Sequence, residues 1–168
     1  LKKVFFFFYG KKVEKRKEWW YTSFKNWQYQ YTIRNTEGGA TMGYVKWSYS
    51  VLEHFCHDVF RAFGFDETQS KEIEDVLLTA DLFGIESHGM QRMVRYHKGI
   101  EKGTIHPLAK PEVVFETPVS AVIDGHNGMG QLISIYAMKK AIEKAKTSGI
   151  GMVSVRNSNH FGIAGYYA

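Results

Sequence analysis

Cysteine is nearly absent from this 168-residue chain; Cys56 is the only one. One thiol excludes an internal disulfide framework and fits a reducing, cytoplasmic setting. Proline is scarce too. Pro107, Pro111 and Pro118 all fall in one turn-rich connection around a short strand, Glu112 to Glu116. No run of about 18 apolar residues occurs, so no transmembrane helix is expected. The chain also lacks a spread-out basic surface. Its net charge of +5 is local: residues 1–41 hold nine Lys/Arg against three Asp/Glu, and residues 42–168 hold thirteen against fourteen. From Met42 onward there is no electrostatic footprint for nucleic acid.

What is present is an ordinary globular composition, 44% apolar and 23% charged, long enough to bury a real core. Residues 1–41 stand apart. They carry Phe5 to Phe8, a Lys/Arg cluster and Trp19, Trp20 and Trp27, with no clear helical or strand period. The apolar patch from Val4 to Tyr9 is too short for a signal-peptide core, and no small-residue cleavage site follows. We read this stretch as an extension outside the domain or a mis-called start. A basic-aromatic tail that binds membranes or nucleic acid is the competing reading, and it depends wholly on these residues. The expectation for the domain itself is no nucleic-acid and no membrane partner.

From Met42 the pattern is regular. Tyr44 to Trp47 reads as a short edge strand. Ser50 and Glu53 match a capping box, and Leu52, Phe55, Val59 and Phe63 follow at helical spacing, with Gly64 as the stop. Asp66 to Gln69 opens a second helix in the same way, with Ile73, Val76, Leu77 and Ala80 as its apolar stripe, completing an αα-hairpin. His54 and His57 in the first helix have no third ligand nearby and read as surface residues; no metal site is expected. A third helix is predicted from Ser87 to Gly103, with Met93, Val94 and Ile100 facing the core. His88, Arg92 and Tyr96 are spaced by four and share its other face. Such a face is either merely solvated or a grip for an anionic substrate, because an arginine fork suits a carboxylate.

A βαβ pattern closes the chain. Ser120 to Asp124 is a strand, Gly125 to Gly130 a turn, and Gln131 to Thr147 a helix with Leu132, Ile135, Met138, Ile142 and Ala145 inward. Gly149 stops it, and Ile150 to Val155 is a second strand. The glycine turn lacks the dinucleotide fingerprint, the acidic residue that would contact a ribose, and the P-loop lysine, so it reads as turn chemistry. His106 and His126 read as structural and exposed turn residues. Next come Asn157-Ser-Asn-His160-Phe-Gly162. A histidine at a strand exit can serve as a general base near neutral pH, with asparagine and serine neighbours to fix its tautomer or orient a substrate; a loop histidine bonded to backbone is the alternative.

Three segments together carry a resemblance. Ala80-Asp-Leu-Phe-Gly-Ile-Glu-Ser-His-Gly89, continuing to Arg92 and Tyr96, resembles the start of the malate/L-lactate dehydrogenase family. Val122 to Gln131 and Val155 to Tyr167 match later family blocks in order and spacing. The two histidine blocks are the specific ones. The likeness runs from about Met42 to Ala168, roughly half the family's length; residues 1–41 match nothing in it. It implies an α/β fold: a helical N-terminal subdomain over residues 42–118, then a βαβ-containing part of a mixed sheet over 119–168 that begins the cofactor and catalytic domain. It implies reversible oxidation of a small 2-hydroxy acid to the 2-oxo acid with NAD or NADP, in a homodimer when full length. Carried over residue by residue, His160 is the acid/base, with His88 polarising the carbonyl or sharing the proton. Arg92 pairs with the substrate carboxylate, and Ser87 and Tyr96 add hydrogen bonds. Phe161 and Gly162 line the nicotinamide pocket. The rival expectation is an inactive fragment that serves only as an interaction or structural module.

Overall fold

The computed structural model describes residues 4–9, 28–32 and 44–168. The stretch that shows no strand period in sequence nevertheless supplies two strands, β1 (Val4–Tyr9) and β2 (Gln28–Thr32). The lysine-rich segment and Trp19, Trp20 and Trp27 lie outside the described residues. β2 pairs antiparallel with β3 (Tyr44–Ser48), forming a separate two-stranded sheet.

β3 runs directly into α1 (Tyr49–Ala62). The expected Ser50–Glu53 capping box does not form. Ser48, still extended from the strand, takes the N-cap position without a side-chain bond to the helix backbone, which moves Ser50 inside the first turn. The buried stripe is Tyr49, Leu52, Cys56 and Phe60. Phe55, expected in the core, is 55% exposed. The stripe is rotated because Tyr49 and Cys56 also fit the 3.6-residue period, and the neighbouring helix selects that face.

α2 (Glu67–Leu82) follows expectation. Asp66 and Gln69 form a reciprocal capping box, with the Gln69 N–H donating to Asp66 at 2.8 Å. Ile73, Val76, Leu77 and Ala80 are all fully buried. The third helix starts later than predicted. Two short 3₁₀ turns, Glu86–His88 and Met90–Arg92, precede α3 (Met93–Glu101). The break is at Gly89, whose ψ of −152° is not helical. Val94, expected inward, is 63% exposed, while Met93 and Tyr96 are buried.

The main sheet has the order β1-β6-β5-β4. It comprises β4 (Glu112–Glu116), β5 (Ser120–Gly128) and β6 (Ile150–Ser158) besides β1. β5 and β6 are parallel and joined by α4 (Gly130–Ser148), the expected βαβ unit; the β1–β6 and β4–β5 pairs are antiparallel. This is the mixed α/β sheet anticipated above. α4 ends where predicted, at Gly149 in the left-handed region with φ 77°. Its inward face is broader than expected: Met138 and Ala145 are buried as predicted, Leu132, Ile135 and Ile142 are half-buried against the two cores, and Gln131, Ile133, Ala137 and Ala141 are buried besides. Small alanines are selected because α4 lies flat on the sheet: a side chain at Gly151 of β6 would collide with the Ala141 carbonyl at 2.0 Å. A last short helix, α5 (Ala164–Tyr167), follows.

The core has two parts. One joins α1, α2 and α3 around Phe60, Leu77 and Tyr96; the other joins the sheet and α4 around Ile123, Ala137 and Val153. α2 contributes to both, with Ile73 and Leu77 on one side and Val76 on the other. The seam between these parts is where the β6 exit meets α3.

Candidate active site

The loop after β6 is pinned by polar bonds before it reaches His160. Asp124, buried near the end of β5, accepts from the His126 backbone N–H at 2.9 Å, from Arg156 Nε at 2.8 Å and from the Asn157 amide. The backbone donor first, and then Asn157 and Arg156, hold its carboxyl below the usual range. Asn157 sits at φ 50° in this knot. The Asn159 amide donates to the carbonyls of Thr104, Asn127 and Gly128 at 3.1, 2.8 and 3.0 Å. These asparagines therefore fix the loop, and neither one sets the tautomer of His160.

The glycine turn acquires a purpose here. A Cβ on Gly130 would lie 2.3 Å from the His160 carbonyl oxygen and 2.4 Å from that of Asn159. Glycine lets the start of α4 press against the His160 backbone. The turn glycine is thus a packing device between α4 and the His160 loop.

The second histidine block is held from α2. Asp81 accepts the Met90 N–H at 2.8 Å, and a Cβ on Gly89 would strike the Asp81 carboxylate at 1.7 Å. Only glycine permits that approach, and it turns the two 3₁₀ segments so that His88 faces the β6 exit. The His88 and His160 rings lie with centroids 5.1 Å apart. Seventy-two residues of chain thus separate two imidazoles that meet in space.

Around them the predicted residues divide. Ser87 is exposed and its Oγ lies 2.8 Å from His88 Nδ1; it does not cap a helix. Arg92 is half-buried; its Nε donates to the Ser87 carbonyl, and it makes no ion pair with a carboxylate among the described residues. Tyr96 is buried, 1% exposed, with its hydroxyl 2.9 Å from His160 Nδ1. Burial pushes its phenol up to about 12, so it remains protonated. Phe161 packs on the sheet-side core, with its ring 6.5 Å from that of His160. Gly162, at φ 87°, brings its Cα against Val76; a side chain there would meet Val76 Cγ1 at 2.5 Å. Its N–H points at His160 Nδ1 from 3.3 Å.

His160 itself is held down to about 4, first by burial and then by the electrostatic influence of Arg92, His88 and Arg95. It is neutral at pH 7. Its Nε2 makes no hydrogen bond among the described residues. The site therefore combines a neutral imidazole, a second imidazole and an arginine fork without a carboxylate partner, in positively biased surroundings. That set can bind a small carboxylate and exchange a proton beside it.

Sequence reasoning missed Gln131. It is fully buried in the first turn of α4, and its Nε2 donates to Tyr96 Oη at 2.8 Å. The available signal was a glutamine on an otherwise apolar helix face, three residues before a buried serine, Ser134.

Residues 47–168 match the family model described as malate/L-lactate dehydrogenase. The chain is 46% identical over 132 residues to a malate dehydrogenase of Pyrococcus abyssi, covering 79% of this chain and 36% of that protein. It is 47% identical over 111 residues to an L-sulfolactate dehydrogenase of Methanocaldococcus jannaschii, covering 66% and 32%. The solved malate dehydrogenase of Pyrococcus horikoshii superposes with a TM-score of 0.68 at 49% identity, over 70% of this chain and 34% of that one. The chain spans about a third of the length of the curated relatives it matches.

Proposed function

Because the chain belongs to the malate/L-lactate dehydrogenase family, we propose that the whole protein transfers hydride between a nicotinamide cofactor, NAD or NADP, and a small 2-hydroxy acid or its 2-oxo acid. The relatives act, by their names, on malate and sulfolactate, both 2-hydroxy acids. A cofactor of this kind supplies the hydride acceptor or donor. The residues present fit its ring end: the Phe161 ring lies at 29° to that of His160 and is half-buried, an aromatic wall beside the acid/base, and Gly162 lets the loop that carries both rings pack against Val76. We accordingly keep residues 42–118 as the helical subdomain and 119–168 as the opening part of the cofactor and catalytic domain, and we propose a homodimer for the complete enzyme.

The single observation that carries the reading is the meeting of His88 and His160 beside an arginine that makes no ion pair among the described residues. Arg92 would hold the substrate carboxylate, helped by Arg95, whose charge also reaches His160. His160 Nε2 would take the hydroxyl proton as C2 is oxidised, and return it on reduction. His88, tied by Ser87, would bind the same substrate oxygen and share that proton. Tyr96 departs from the expectation of a direct substrate bond: its hydroxyl is engaged by His160 and Gln131, so it acts through His160. An inactive interaction module gives no reason for two imidazoles and an arginine to converge. The test is turnover by the complete enzyme with 2-hydroxy acids. His160→Ala should lower kcat by about 10²- to 10⁴-fold, the usual worth of a general acid/base. Near-normal turnover at neutral pH would remove His160 from this role.

A further inference from the structure

Three groups converge in a line: Gln131 Nε2 on Tyr96 Oη at 2.8 Å, and Tyr96 Oη on His160 Nδ1 at 2.9 Å. A phenol has one proton. When the Gln131 amide donates to its oxygen, that proton is free to point at Nδ1. The Gly162 N–H approaches the same nitrogen from 3.3 Å. Two donors aimed at Nδ1 require a lone pair there, so neutral His160 carries its proton on Nε2. Gln131 Oε1 is buried and has no hydrogen-bond partner among the described residues. A buried acceptor left unpaired costs about 1–3 kcal/mol and calls for an explanation.

Turning the Gln131 amide over gives Oε1 a partner but leaves its two N–H groups in the buried place without one. Oε1 then receives the Tyr96 proton, and the Tyr96 oxygen accepts a proton-bearing Nδ1. Nε2 is left with its lone pair, as a base needs. The turned arrangement costs the Gly162 N–H its acceptor, which explains why the first one is the resting state. We propose that Gln131 is a positioning residue that sets, through Tyr96, which nitrogen of His160 carries the proton. At rest the imidazole offers Nε2–H as a hydrogen-bond donor, suited to a carbonyl oxygen. With the amide turned, Nε2 accepts the proton of a substrate hydroxyl. The C2 hydride leaves in the same step for the oxidised nicotinamide, and the resulting imidazolium keeps Nδ1–H on Tyr96. The tautomer assignment stands on geometry alone; its catalytic meaning rests on the hydride-transfer reading.

The test is ¹⁵N-edited NMR of the imidazole nitrogens in this 168-residue chain at pH 7, without substrate or nucleotide. His160 is expected as the Nε2–H tautomer. Gln131→Met keeps the volume and removes the donor; it should cut the Nε2–H to Nδ1–H ratio by roughly five- to tenfold, the worth of one net hydrogen bond. Gln131→Glu, which places an acceptor against Tyr96, should move the population to Nδ1–H. A wild-type Nδ1–H tautomer, or an unchanged ratio in Gln131→Met, overturns the proposal. If Gln131→Glu does not fold, the wild-type and Gln131→Met spectra still decide it. No turnover enters the measurement, so its failure is distinct from failure of the dehydrogenase reading, which would appear as an inactive complete enzyme.

Discussion

Gly130→Ala sets two effects of opposite sign against each other. By helix propensity alone, alanine at the first residue of α4 is favourable, by at most about 1 kcal/mol. Against this, the new methyl would stand 2.3 Å from the His160 carbonyl oxygen and 2.5 Å from its carbonyl carbon. Real Cβ contacts under 3.0 Å essentially never occur, so the helix and the loop must separate. Both sides of the contact are backbone, one tied into α4 and the other into the Asn159 bonds to three carbonyls. Neither can yield by a rotamer change, which places the cost near the upper end of the about 1–3 kcal/mol typical of overpacking. The net expectation is a loss of about 2 kcal/mol, or about 8 °C in Tm at roughly 4 °C per kcal/mol for a chain of this size. Thermal unfolding by circular dichroism measures it. The His160 ring resonance should move with it, because the loop that carries the ring is displaced. Gly149→Ala is the control: it strains a left-handed residue but meets no atom within 4 Å, so it should lower Tm while leaving the His160 resonance in place. A Gly130→Ala chain as stable as wild type, with an unmoved His160, would refute the argument that this glycine exists for the His160 loop.

Two further outcomes are expected. His160 titrates near 4 in the folded chain against about 6.5 unfolded, so the unfolded chain binds the extra proton; this contribution to stability is complete above pH 6.5 and is lost as pH falls from 6.5 towards 4. An NMR titration should place the His160 midpoint well below 6.5, and His160→Gln should flatten the fall in Tm across that window. Asp81→Ala removes the acceptor of the buried Met90 N–H and should cost about 1–3 kcal/mol; hydrogen exchange of residues 86–92 should accelerate more than that of α1, and equal acceleration in both would mean that Asp81 does not specifically hold the His88 turn.

Local chemistry was legible in the chain itself. The Asp66–Gln69 capping box, the stop at Gly149 and the βαβ order follow from neighbouring residues and backbone preferences, and the three-dimensional structure had only to accept them. The two histidine blocks were recognisable for the same reason: each is a short, contiguous motif. The inward faces of α1 and α4 were legible in the main, as Leu52, Met138 and Ala145 show, but the edge of each stripe was not, because Phe55 and Ile135 satisfy the helical period as well as Cys56 and Ile133 do, and only the opposing surface discriminates. Gly130 read as turn chemistry because its collision partner lies thirty residues away in sequence. The same holds for Gln131, a buried polar side chain whose meaning comes entirely from Tyr96 and His160. Sequence specified the groups that can do acid–base chemistry; tertiary packing decided which nitrogen of His160 faces its hydrogen-bond donors and which is left for a ligand, since that depends on three separate elements reaching hydrogen-bond distance at once.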